Sequence, residues 1–167
     1  MINKQKFKQL QSLLLFITLL IVIISYYLQY FQGLEPCPLC MMQRICIFVF
    51  AVFCTIAVGV SKLKWAKVIA LLQALFALFG LFFALRQVWL QFLPNGQTHA
   101  CLPGLWVLVH YFSWKDVASV LLWGSGECSH ISWRFLGLPI SVWSSVYFLC
   151  MAIISFLLYR KIVKPIQ

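Results

Sequence analysis

Cys37-Pro38-Leu39-Cys40-Met41-Met42-Gln43-Arg44 places two thiols three positions apart and a cation four positions beyond the second thiol. As a static brace such a pair does little. A loop this short constrains the unfolded chain by only about 2 kcal/mol. Redox exchange is the commoner use of Cys-x-x-Cys. Apolar residues follow from Ile45 to Val60, broken only by Thr55, so the pair stands at the mouth of an apolar helix. Cys40 then falls in its first turn, where unpaired N–H groups and the helix dipole favour a thiolate. Arg44, at i+4, shares its face about 6 Å further in. A cation there favours the thiolate again. Snorkelling to headgroups is the plainer role for such an Arg, but a cation inside an apolar span points first to function. An acceptor dissolved in the membrane, reduced at Cys40, would develop negative charge on an oxygen. A guanidinium suits that oxygen, and a quinone fits the description.

A second pair, Cys101 and Cys128, lies in segments rich in turn formers: Pro94, Asn95, Gly96, Pro103 and Gly104 around the first, Gly124, Ser125 and Gly126 before the second. Bridged, they would close a loop worth roughly 3–4 kcal/mol as a brace. An exposed disulfide able to reach Cys37 and Cys40 is also what a thiol relay needs. Both readings stand on the residues alone. A four-cysteine zinc site built from Cys37, Cys40, Cys101 and Cys128 is the alternative from another class. Its second pair lacks the Cys-x-x-Cys spacing of such sites. Cys46, Cys54 and Cys150 sit inside apolar runs and read as small core residues. His99 and His130 flank the second pair as solvated loop residues.

The elements that must position these residues are membrane spans. Of 167 residues, 63% are hydrophobic and 10% charged, against about 45–50% and about 25% in soluble domains. The formal net charge is +10. Its cations flank apolar runs instead of forming a basic face interleaved with aromatics, so nucleic acid is excluded as a partner and the lipid bilayer is indicated. Apolar stretches at about 12–31, 41–60, 68–89 and 138–158 are each long enough to cross a bilayer core of about 30 Å. The first is too long for the apolar core of a cleaved signal, and no small-x-small site follows it. Connecting segments fall at about 32–40 and 90–137. With four spans, Lys4, Lys6, Lys8, Lys62, Lys64, Lys67, Arg160, Lys161 and Lys164 share one side, against Lys115 and Arg134 clear of the spans on the other. The positive-inside rule puts both termini in the cytoplasm and the cysteine-bearing segments outside, where disulfides persist. The stretch 105–123 is also apolar, but it carries His110, Lys115 and Asp116. Charges near a helix centre cost about 2.5–3.5 kcal/mol each on insertion. A helix lying in the interface, anchored by Trp106, Trp114 and Trp123, is expected there.

At these residues the chain resembles the DsbB family, bacterial inner-membrane thiol oxidases that use quinone. The matching elements are Cys-x-x-Cys-x-x-x-Arg at 37–44, the later pair Cys101 and Cys128, and Trp133-Arg134-Phe135-Leu136-Gly137-Leu138 followed by Pro139 and Trp143. With the four-span pattern they cover nearly the whole chain as one membrane domain. The resemblance implies an all-α, antiparallel four-transmembrane-helix bundle with an amphipathic helix on its periplasmic surface. It implies that a periplasmic DsbA-like partner exchanges with Cys101 and Cys128, that Cys37 exchanges with those loop cysteines, and that Cys40 reduces ubiquinone or menaquinone bound by Arg44. A DsbA-type oxidant lies at about −120 mV, so reoxidising it needs an acceptor of higher potential, and about 30 mV of two-electron difference is worth about 1.4 kcal/mol. Some family members place a His near the end of the third span. Here that region reads Arg86-Gln87-Val88-Trp89, and that contact is not carried over.

Overall fold

The computed structural model describes residues 4–33, 37–60, 62–92, 113–124 and 134–163. Cys101, Cys128, all three histidines and residues 105–112 of the expected interfacial helix lie outside them. Among the described residues five helices follow in chain order: α1 (Lys4–Gln32), α2 (Pro38–Gly59), α3 (Leu63–Phe92), α4 (Trp114–Trp123) and α5 (Ile140–Val163). A two-residue strand β1 (Arg134–Phe135) pairs antiparallel with β2 (Leu138–Pro139) just before α5. Four of the helices, α1, α2, α3 and α5, are long and apolar enough to cross a membrane. α4 has ten residues, a rise of about 15 Å, half of a bilayer core.

The four long helices form an antiparallel bundle. α1 joins α2, and α2 joins α3, through connections of a few residues, which force neighbours to run in opposite directions. α3 is the central helix, packed against both α2 and α5. Close approach of α3 and α5 depends on Gly80. A Cβ at that position would lie inside van der Waals contact of the Phe148 ring, whose side chain is fully buried. One apolar cluster draws Leu14, Phe50, Cys54, Ile69 and Met151 from all four long helices, and a second, around Leu39, Cys46, Phe83 and Phe148, lies toward the Cys-x-x-Cys end.

Polarity is distributed inside out. Leu13, Phe16, Leu20, Ile23 and Tyr27 stand exposed along one side of α1, and Val146, Leu149, Ile153 and Phe156 along α5. Gln11, Thr18, Gln43, Gln73, Gln87, Ser141 and Ser145 are buried. In a soluble bundle the order would be reversed. In hydrocarbon, outward apolar faces cost nothing, and buried polar groups must satisfy one another. Gln11 and Gln73 do so reciprocally, with Nε2 to Oε1 distances of 3.1 and 2.9 Å, tying α1 to α3. Gln73 Nε2 also donates to Cys54 Sγ at 3.2 Å. Thr18 lies 3.0 Å from the Tyr147 hydroxyl, tying α1 to α5.

At the Cys-x-x-Cys end, the fourth apolar stretch opens with the hairpin, and the helix begins at Ile140. Leu136 and Gly137 form its two-residue turn with φ of 53° and 80°, the sign pattern that a tight hairpin demands. Gly meets that requirement without cost; Leu136 does not. Trp143 Nε1 donates to the Phe135 carbonyl at 3.2 Å and braces the hairpin on α5.

Gly80→Ala is expected to lower bundle stability by about 1–3 kcal/mol, because its methyl overlaps a buried ring that has no room to yield. Thermal unfolding in detergent measures this, and Gly80→Ala/Phe148→Leu should recover part of the loss.

Candidate functional site

Pro38 opens α2 at a position where its missing N–H costs no hydrogen bond, and its fixed φ suits the first helical turn. Cys37, the residue before it, is extended (φ −66°, ψ 162°), as a residue preceding proline must be. Its carbonyl accepts the Met41 N–H at 3.1 Å, so both cysteines are locked to one turn. The sulfurs stand 2.9 Å apart. Closing them to a disulfide of about 2.05 Å requires little movement. Between them Leu39 is fully buried. It is covered by Gly124, the C-cap of α4, whose φ is 84°. A Cβ on Gly124 would stand 2.9 Å from Leu39 Cδ1 and 2.8 Å from Leu90 Cδ1. The end of α4 is thus seated on the Cys-x-x-Cys turn.

Cys40 is half-buried and meets α3. Gln87 Nε2 donates to Cys40 Sγ at 3.2 Å, and Gln87 Oε1 lies 3.5 Å from the same sulfur. Gln43 Nε2 donates to that Oε1 at 2.8 Å. Gln43 and Gln87 are both buried, so the sulfur ends a short carboxamide chain.

Arg44 is turned to α1. Its Nε donates to Ser25 Oγ at 3.0 Å, Nη2 to the Ser25 carbonyl at 3.2 Å, and Nη1 to Gln29 Oε1. The guanidinium carbon also lies 4.9 Å from the centre of the Tyr26 ring, within the range of a cation–π contact. Three of the five guanidinium N–H donors are taken by these bonds, and a guanidinium carries two more for an acceptor. Ser141 Oγ donates to Gln91 Oε1, which links α5 to the last turn of α3.

Of the five residues singled out from the sequence, the fold brings Cys37 and Cys40 together and puts Arg44 one turn deeper on the same helix. Cys101 and Cys128 lie outside the described residues, and so does half of the four-cysteine zinc alternative. Among the described residues no group of three His, Cys, Asp or Glu side chains gathers as metal ligands would. The residues holding the site that sequence reasoning did not find are Gln43 and Gln87 beside Cys40, and Ser25, Tyr26 and Gln29 around Arg44. One signal was available. Glutamines within apolar runs must find polar partners, and Gln43, Gln73 and Gln87 are such glutamines.

Comparison with known proteins identifies relatives of the chain. The family model described as "Disulfide bond formation protein DsbB" matches residues 7–158. The chain is 39% identical over 137 residues to disulfide bond formation protein B of Stutzerimonas stutzeri, covering 81% of this chain and 83% of that protein. It is 45% identical over 127 residues to the protein of the same name from Hahella chejuensis, covering 75% and 76%. With the one from Acinetobacter baylyi it shares 42% identity over 126 residues, 74% of each chain.

The contacts to Arg44 should carry measurable energy. A double-mutant cycle across Arg44→Ala and Gln29→Ala, read by reversible unfolding in mixed micelles, is expected to return a coupling of about 0.6–1.7 kcal/mol, the range of interhelical hydrogen bonds in membranes. Additive single effects would mean that α1 does not hold the guanidinium.

Proposed function

The chain belongs to the DsbB family of disulfide bond formation proteins, and on that premise we propose that it carries electrons from a periplasmic DsbA-like thiol oxidase to membrane quinone. As a member of that family, with four helices able to cross a bilayer, it is a multi-pass membrane protein and a disulfide-forming oxidoreductase. The finer reading is that it sits in the bacterial inner membrane with both termini in the cytoplasm. The segments at about 32–40 and 90–137 then face the periplasm. The charge bias supports this, since Lys62, Lys64, Lys67, Arg160 and Lys161 gather at the end opposite the cysteines. On this reading α4 would lie along the outer interface; its length, too short to cross a bilayer, and the exposed Trp114 with buried Val117 and Val120 support that.

The observation that carries the reading is a pair of sulfurs 2.9 Å apart at the entrance of a membrane-length helix, with an arginine one turn further in. In the relay a thiolate of the partner attacks Cys101, breaks the Cys101–Cys128 bond and forms a mixed disulfide. The partner's second thiolate displaces Cys101, so the partner leaves oxidised and both loop cysteines are left as thiols. Those thiols reduce the Cys37–Cys40 disulfide by the same exchange, with Cys37 as the sulfur attacked. The donor set at the α2 entrance fits a quinone: a half-buried guanidinium with N–H groups beyond those α1 uses, the Tyr26 ring beside it, and a sulfur one turn above. Ubiquinone or menaquinone bound there would supply an acceptor for the two electrons and two protons that the Cys37–Cys40 dithiol releases on returning to disulfide. Arg44 holds the oxygen on which negative charge develops. Cys40, one turn deeper than Cys37, is the sulfur that would pass electrons to a quinone held by Arg44. Cys37, at the outer end of the turn, is the sulfur that exchanges with Cys101 and Cys128.

Anaerobic turnover tests this, with the protein in detergent, a reduced DsbA-like partner and a soluble quinone followed by absorbance. Quinone loss is expected to match partner oxidation one to one and to vanish in Cys40→Ala and in Cys101→Ala. Arg44→Ala should raise the KM for quinone roughly tenfold, the equivalent of about 1.4 kcal/mol. A folded protein that consumes no quinone, or an Arg44→Ala variant with unchanged quinone dependence, would remove the corresponding part of the reading.

A further inference from the structure

We propose that Gln87, oriented by Gln43, is a positioning residue that holds Cys40 as a thiolate and so makes the Cys37–Cys40 pair a stronger oxidant. The proposal rests on the reading of Cys40 as the sulfur that gives up electrons, and it adds two residues that neither the spacing of the cysteines nor the position of Arg44 points to.

The geometry is specific. The Gln87 carboxamide faces the sulfur with both ends, Nε2 at 3.2 Å and Oε1 at 3.5 Å. A neutral thiol can donate to the oxygen, whereas a thiolate can only accept from the N–H. Gln43 decides between these. Its Nε2 donates to Gln87 Oε1 at 2.8 Å, which fixes the carboxamide with its N–H end nearer the sulfur, at 3.2 Å, and leaves the oxygen at 3.5 Å as an acceptor shared with Gln43. Both glutamines are buried, at 5% and 7% exposure, so no bulk water competes for either amide. A hydrogen bond to a charged acceptor is worth about twice one between neutral groups. The amide therefore favours the thiolate over the thiol. Among the titratable and charged groups of the described residues, Cys37 Sγ lies 2.9 Å from Cys40 Sγ, Arg44 follows one turn on along α2, and Arg86 is the chain neighbour of Gln87 on α3. The Arg44 guanidinium is turned to Ser25 and Gln29; the sulfur is met by Cys37 Sγ at 2.9 Å within its own turn and by the Gln87 N–H from α3.

Stabilising the thiolate stabilises the reduced pair, and a dithiol stabilised in its reduced form is the stronger oxidant. Loss of the Gln87 donor must therefore move the pair toward disulfide. The test is the redox equilibrium of Cys37–Cys40 in glutathione buffers, without quinone or partner, in a Cys101→Ala/Cys128→Ala background that isolates the pair. Gln87→Met keeps the length of the side chain and removes the donor. It is expected to shift the equilibrium about tenfold toward disulfide, 29.6 mV for a two-electron couple. Gln87→Glu keeps the shape and puts an acceptor where the donor was. It should shift the equilibrium further in the same direction, which a packing role alone would not do. Gln43→Met leaves Gln87 in place but unoriented, is expected to give a smaller shift of the same sign, and decides the matter if Gln87 variants do not fold. Equilibrium constants equal to wild type in the folded variants overturn the proposal while leaving the electron-transfer reading intact. A pair that forms no disulfide in any buffer overturns both.

Discussion

A polar side chain buried in a membrane bundle has no water to fall back on, and that single constraint organises this molecule. Each unsatisfied donor or acceptor in hydrocarbon costs several kcal/mol. The glutamines of α1, α2 and α3 can be tolerated only where another helix supplies a partner. Gln11 with Gln73 ties α1 to α3. Gln43 with Gln87 ties α2 to α3. Arg44 with Ser25 and Gln29 ties α2 to α1. Apolar packing between helices is weakly directional, because lipid tails are as apolar as the side chains that would replace them. Directional polar pairs, together with the close approach at Gly80, set which helices are neighbours and at what height.

The same constraint places the chemistry. Cys40 and Arg44 sit on adjacent turns of α2, and each is met from a different neighbouring helix: the sulfur by Gln87 of α3, the guanidinium by Ser25, Tyr26 and Gln29 of α1. A cation and a sulfur are thus held near the end of an apolar span, the sulfur by buried carboxamides and the guanidinium by half-buried groups of α1. Fixed dipoles of this kind need no reorganisation when charge appears, which is the condition for stabilising a thiolate or a developing oxyanion. The turn that carries both cysteines is held by Pro38 at its start and by Leu39 packed under Gly124 of α4.

Much of the fold was legible because hydrophobic length is an unambiguous signal in a membrane protein. Apolar stretches of about 20 residues have one way to satisfy their backbone in hydrocarbon, the helix. The hairpin at 134–139 was not legible in the same way. Leu136 occupies a left-handed turn position that usually falls to Gly or Asn, so its residue type argues against the conformation it adopts. The start of α5 at Ile140 follows from that turn and from the Trp143 brace, neither of which periodicity reports.

The sequence by itself determined the four membrane-length helices, their antiparallel order through short connections, and the Cys-x-x-Cys-x-x-x-Arg line on one face of α2. Each of these is local: length, spacing and helical period decide it without reference to another segment. The tertiary structure alone decided what surrounds that line. Gln87 is 47 residues from Cys40, and Arg44 is 15 residues from Gln29. Their meeting depends on the rotation and height of three helices about their axes. Those quantities are settled by the summed packing and polar pairing of the whole bundle, not by any one stretch of chain.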